Sequence, residues 1–217
     1  MHFHLPKPLH GWRAFVGEVG IIVIGVLIAL GAEQAVEAWQ WHEKVAVLRQ
    51  SLMGELANDR ARWNFDLAGG RCALQEADRL DAWAQTRAMT AAPLRAIHSS
   101  QLLTMHTTNW TLAASSQTLQ HFPVGEQLAF AALYAGIANR QVSIDQASDA
   151  ADRITTLIPL ASDPDARREL RESLGALKAA ANSLVYNEAY MKRHFDAVGV
   201  RADASDFAAD ERKLSCA

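Results

Sequence analysis

The sequence predicts an all-α protein: an N-terminal transmembrane helix that continues into a long helix, followed by an antiparallel helical bundle. Three observations predict it. Apolar residues recur at three- and four-residue spacing along most of the 217 residues, the period of a helix face. The Thr-Val-Ile alternation of a half-buried strand is nearly absent. Near the start, fourteen uncharged residues, Val19 to Ala32, lie between Glu18 and Glu33.

That stretch alone is short for hydrocarbon about 30 Å thick. Counted as residues 15–36, the helix reaches about 33 Å at 1.5 Å per residue. Glu18 and Glu33 then fall near the two interfaces, where a carboxylate reaches water or headgroups at modest cost. Trp12 precedes the span and Trp39 and Trp41 follow it, positions that suit amphipathic rings. Lys7 and Arg13 precede the span, and its far side opens with Glu33, Glu37 and Glu43 before the first lysine at Lys44, so the charge bias puts residues 1–14 in the cytoplasm. The bulk of the chain would then be periplasmic or extracellular, the periplasmic side of a bacterial inner membrane being the expectation. Competing readings are a cleavable signal peptide cut near Ala29-Leu30-Gly31, a buried core helix and an amphipathic surface helix.

At 100° per residue, Glu18, Gly25, Ala29, Ala32 and Val36 fall within about 40° of one line. The Gly25/Ala29 spacing is the small-xxx-small pattern that lets membrane helices approach closely. The partners expected are the lipid bilayer and, through this face, a second copy of the chain or another membrane protein. The alternative is the ordinary abundance of Gly and Ala in membrane helices.

Beyond the span, Val45, Leu48, Leu52, Leu56, Trp63 and Leu67 continue one stripe without a break. Residues 37–198 are read as a periplasmic helical bundle and 199–217 as a polar tail. Gly69-Gly70 is expected to end the first helix through a left-handed C-cap, with a second helix from Arg71 to about Met89. Residues 94–121 are irregular and read as short helices around a turn. Pro123 precedes a long helix whose Phe130, Leu133, Ile137, Ile144, Ala147, Ala151, Ile154 and Ile158 keep 3-4 spacing up to Pro159. Ser162-Asp163-Pro164 signals a helix start. From Leu170 to Val198 one stripe runs on to Gly199. Glu188 stands in that stripe where an apolar residue is expected, and reads as a buried structural acid paired with an arginine or an indole N–H.

Composition excludes some functions. The net charge is −3, and because Lys7, Arg13 and Glu18 sum to +1, the remainder carries about −4, so no nucleic acid is expected as a partner. Cys72 and Cys216 have no CxxC or Cys/His ligand spacing. In an oxidising periplasm they are expected to pair as one disulfide, the alternative being two free thiols. His2, His4 and His10 precede the span. His98, His106 and His121 fit no ligand pattern on one helix face. There is no HExxH, di-iron ExxH, GxSxG, Walker loop or GxGxxG. Asp78 and Asp81, and Asp149 and Asp152, read as solvated pairs. No catalytic, cofactor-binding or metal residue is singled out, and no cofactor is expected.

"GEVGIIVIGVLIALGAEQ", residues 17–34, resembles the N-terminal signature of a group of bacterial single-pass membrane proteins of unassigned function. These carry a Gly-Glu, an Ile/Val run with an inner Gly, and Leu-Ile-Ala-Leu before a polar exit. "NWTLAASSQTLQHF" from Asn109, followed by "LYAGI", is similar to a segment of the same group. The resemblance implies a membrane-anchored helical domain and brings no activity. A non-enzymatic structural or accessory subunit is the expectation; a periplasmic ligand-binding sensor is the alternative, and an enzyme using His98, His106 or His121 the third reading.

Overall fold

The computed structural model describes residues 11–86 and 102–202. Every regular element among them is helical: α1 (Trp12–Ala84), α2 (Thr108–Ser115), α3 (Val124–Leu157), α4 (Pro164–Tyr186) and α5 (Glu188–Val198), with short 3-10 turns at Gln117–His121 and Ile158–Leu160. The chain forms two compact units, residues 1–47 and 48–217, and α1 contributes residues to both.

In the first unit α1 is, among the described residues, the one helix long and apolar enough to cross a membrane, and none of its apolar stretch is buried. The side chains from Val19 to Leu30 are exposed all round, from 42% at Val19 to 74% at Ile21. A buried core helix would show the opposite, so that reading is excluded. Glu18, Gly25, Ala29, Ala32 and Val36 are all exposed.

The second unit is a bundle. In one part of its core, Ala73, Ala77, Leu80 and Ala84 of α1 cluster with Ala147, Ala151 and Ile154 of α3 and Leu170, Leu174, Leu177 and Ala181 of α4. Alanine-rich faces let helix backbones approach closely, and the leucines fill the remaining space. Elsewhere the core is aromatic. Trp63 packs on Phe195 with ring centroids 5.8 Å apart, and Phe122 meets Phe130 edge-on at 6.2 Å.

Gly69-Gly70 does not end α1, which runs on to Ala84. Gly69 gives close packing instead, since a Cβ there would meet Leu102 at 3.2 Å, whereas one on Gly70 would make ordinary contacts with Leu184 and Val185 at 3.7 Å. Neither has positive φ; among the described residues only Gly11 and Gly199 do. Gly199 supplies the left-handed cap that ends α5 (φ 78°). The capping residue of α4 is Asp163, whose carboxylate accepts the backbone N–H groups of Asp165 (2.7 Å) and Ala166 (3.1 Å). The stripe from Leu170 to Val198 is two helices. At Asn187 the side-chain amide donates to the Ser183 carbonyl at 2.9 Å, competing for the acceptor that the backbone N–H of Asn187 reaches at 3.4 Å.

Candidate functional site: an acidic stripe beside a buried arginine

Glu55, Asp59, Arg62 and Asp66 lie four, three and four residues apart on α1, within about 60° of one helix face. Residues 102–107 form no helix or strand, so their backbone groups need partners from elsewhere. The stripe provides three of them and also holds Asn109 in the first turn of α2. Asp66 Oδ1 accepts the Leu103 N–H (2.8 Å), Asp59 Oδ1 the His106 N–H (2.9 Å) and Glu55 Oε2 the Asn109 N–H (2.9 Å), while Arg62 donates to the Thr104 carbonyl (2.8 Å). Gln141 of α3 accepts the Met105 N–H at 3.2 Å. The other Glu55 oxygen accepts the Tyr134 hydroxyl at 2.8 Å, and the Tyr134 ring stacks on Trp110 at 4.9 Å. Burial and Glu55 together push the Tyr134 phenol far above its ordinary range, so it stays a neutral donor.

Asp59 and Asp66 have no exposed surface. Burial pushes each carboxyl up to about 7, against the opposing pull of the His106 and Leu103 N–H groups. In each, Oδ2 has no hydrogen-bond partner. Near neutral pH each group is therefore divided between its acid and carboxylate forms.

Arg140 of α3 stands close by and is 5% exposed. Burial pulls its guanidinium down to about 10, opposed by the charge of Asp66, so it is cationic at neutral pH. Nη1 donates to the Leu184 carbonyl at 3.3 Å, and the guanidinium lies 5.9 Å from the Trp63 ring centroid. Nε and Nη2 of Arg140 and Nε1 of Trp63 have no hydrogen-bond partner. Arg140 also lines a cavity of about 260 Å³ together with Gly136 and Ser143 of α3, Ser183 and Leu184 of α4, and Met191 of α5. The Ser143 and Ser183 hydroxyls are 3.1 Å apart. Gly136 faces α5 closely: a Cβ there would lie 2.8 Å from Met191 Sδ, so the methionine side chain would have to move aside.

The residues singled out in the sequence sit elsewhere. Glu188 is not a buried acid: it occupies the first turn of α5 with a side chain 43% exposed, and Arg71 holds it at 2.6 Å. The helix break at Asn187 moves it out of the apolar stripe. Cys72 is buried on α1, and Cys216 lies outside the described residues, as do His2, His4, His10 and His98. His106 is half-exposed, its Nδ1 3.7 Å from Asp59. Asp78 and Asp81 are not merely solvated. Lys178 reaches them at 2.8 and 3.3 Å, and Arg171 reaches Asp81 at 3.3 Å. Asp149 and Asp152 are exposed.

Asp59, Asp66 and Arg140 passed unnoticed in the sequence although the signal was there. Leu52, Leu56, Asp59, Trp63 and Asp66 keep an unbroken 4-3-4-3 spacing, and Arg140 falls between Ile137 and Ile144. Charged residues on an apolar stripe are the mark of a buried polar cluster. Comparison with known protein families, curated proteins and solved structures finds no match for this chain.

Proposed function

We propose that this chain is a single-pass membrane protein anchored by residues 15–36, with residues 1–14 in the cytoplasm and the helical bundle in the periplasm. It serves as a structural or accessory subunit, packing through Glu18, Gly25, Ala29, Ala32 and Val36 against a second copy or another membrane protein. The observation that supports this best is the exposure of every apolar side chain from Val19 to Leu30, while the buried hydrophobic residues begin at Val45. Apolar surface of that extent on all sides of a helix is costly in water and costs nothing in lipid. The charge bias across the span supports the orientation.

The test is alkaline extraction of membranes, followed by mass measurement of the intact chain. Retention in the membrane fraction with the N-terminal segment present is expected. A soluble protein, or one cleaved near Gly31, would overturn the anchor. Replacing Gly25 and Ala29 together with isoleucine is expected to abolish cross-linking between membrane helices. Unchanged cross-linking would show that this face is not the contact.

A further inference from the structure

We infer that the outward face of the first half of α3 is the docking surface for a second copy of this chain, the two α3 helices packing against each other. Val124, Leu128, Ala131, Ala135, Ala138 and Val142 follow one another at 4-3-4-3-4 spacing. At 100° per residue they fall within about 40° of one line, which is the seam of a paired helix. That line lies opposite Leu133, Ile137 and Ile144, which are buried in the core. Val124 is 70% exposed, Leu128 66% and Val142 54%; Ala135 and Ala138 are exposed and Ala131 is half-buried.

A helix that is apolar on both faces is ordinarily covered on both. The second half of α3 shows the contrast. There the same outward line continues as Asp145, Asp149 and Arg153, all exposed, while Ala147, Ala151 and Ile154 remain in the core. The outward face is therefore polar along one half of the helix and apolar along the other. The bundle leaves the apolar half open. On one side of it Tyr134 stacks on Trp110 of α2, and on the other Gly136 faces Met191 of α5, so these helices flank the stripe without covering it.

The stripe is complementary to itself. Its six side chains carry no charge and no hydrogen-bonding group, so a polar partner has nothing to recognise, and Asp145 and Asp149 at its end disfavour an anionic lipid surface. Around a two-fold axis near its middle, Ala131, Ala135 and Ala138 let two helices approach closely, with the larger Val124, Leu128 and Val142 toward the ends. The face is about 27 Å long and about 10 Å wide, so a pair of them buries about 500 Å². A specific interface between free proteins needs at least about 1,200 Å². A contact this small suits copies that an anchor already confines to one membrane, where tethering supplies the effective concentration. In this respect the inference rests on the proposed anchor, and it does not depend on the Gly25/Ala29 face.

The experiment is energy transfer between full-length chains labelled at their amino termini with donor or acceptor, in phosphatidylcholine vesicles, as the chain-to-lipid ratio is lowered. Transfer that saturates at high ratio and is lost on dilution with lipid is expected. Ala135→Glu sets like charges against each other near the axis, and is expected to raise the ratio needed for pairing by about a hundredfold or more. Mixing it with Ala135→Lys is expected to restore transfer. Residue 135 is exposed in the single chain, so the urea midpoint of Ala135→Glu in micelles is expected to match wild type. Gly25→Ile with Ala29→Ile reads the membrane-helix contact separately. Flotation with the vesicles reads the anchor: a chain that does not float overturns the anchor and the pairing that rests on it. A chain that floats without dilution-dependent transfer, or whose transfer Ala135→Glu leaves unchanged, overturns the pairing alone.

Discussion

Raising the pH from 5 to 8 is expected to destabilise the bundle, because Asp59 and Asp66 are carboxyls whose protonated forms the fold prefers. Both titrate near 7 in the folded chain against about 3.9 in an unfolded one. Between those values the folded state binds more protons than the unfolded state, so stability falls as pH rises. At about 1.4 kcal/mol per pH unit, the interval from pH 5 to 8 covers roughly two units of differential protonation, or about 2 to 3 kcal/mol per carboxyl. The pair contributes less than twice that, since neighbouring charges respond together. Glu55 and Arg62 act on Asp59, and Arg62 and Arg140 on Asp66; His106 stands against Asp59.

Other acids work in the opposite sense and outside this window. Asp81 is held below the ordinary carboxylate range by Gln85, Lys178 and Arg171, and Asp196 by Lys192 and Arg60. Their contributions are present above about pH 4 and are lost as pH falls through their folded values. The two sets together place maximum stability in mildly acid solution. The assay is urea unfolding of the full chain in micelles at a series of pH values, followed by circular dichroism. Asp66→Asn keeps an oxygen for the Leu103 N–H and cannot ionise, so it is expected to remove about half of the pH dependence. A midpoint that stays level or rises between pH 5 and 8, or a slope unchanged in Asp66→Asn, would refute the reasoning.

Leu177→Ala, at a fully buried position in the alanine-rich core, is expected to cost about 3 kcal/mol by the same unfolding assay, as core leucine truncations do. Gly70→Ala is expected to stabilise α1 by about 0.5 to 1 kcal/mol, because its Cβ would make ordinary contacts at 3.7 Å in helical backbone; a loss of stability would mean a strained position. Arg49 and Glu126 form a two-pronged ion pair at 2.6 and 2.8 Å with both side chains partly exposed, so Arg49→Ala is expected to cost no more than about 1 kcal/mol, less in high salt. Cys72 and Cys216 are expected to resist alkylation under non-reducing conditions and to react after reduction, read by mass spectrometry of the intact chain.

Period and punctuation made the helices legible in the sequence. The 3-4 spacing of Phe130 to Ile154 became α3, Pro164 after Asp163 opened α4, and Gly199 closed α5. The misreadings share one cause: local signals carry no information about what lies opposite. Gly69-Gly70 has the composition of a helix terminus, and only the approach of Leu102 to Gly69 makes it a close-packing site. Asn187 is one polar residue in an amphipathic run, and its competition for the Ser183 carbonyl depends on its rotamer. The cavity was illegible for the same reason, because Arg140, Ser143, Ser183 and Met191 belong to three helices that periodicity treats one at a time. Asp59 and Asp66 could have been found, since their spacing put them on the buried stripe.

Their retention on that stripe bears on what the bundle is for. Where α1, α3 and α4 meet near Leu177, the core closes with alanine and leucine and needs no polar group. Around Trp63, α1 and α3 hold two carboxyl oxygens, an indole N–H and two guanidinium nitrogens, all buried and all without partners. Replacing such a cluster with packed apolar side chains is commonly neutral or stabilising, so stability alone gives no reason for it. The hydrogen bonds of Asp59 and Asp66 to residues 102–107 explain one oxygen of each acid. They do not explain Arg140, which touches none of that segment's backbone and instead lines the cavity. Arg140 is held instead by the Leu184 carbonyl at 3.3 Å and lies 5.9 Å from the Trp63 ring centroid.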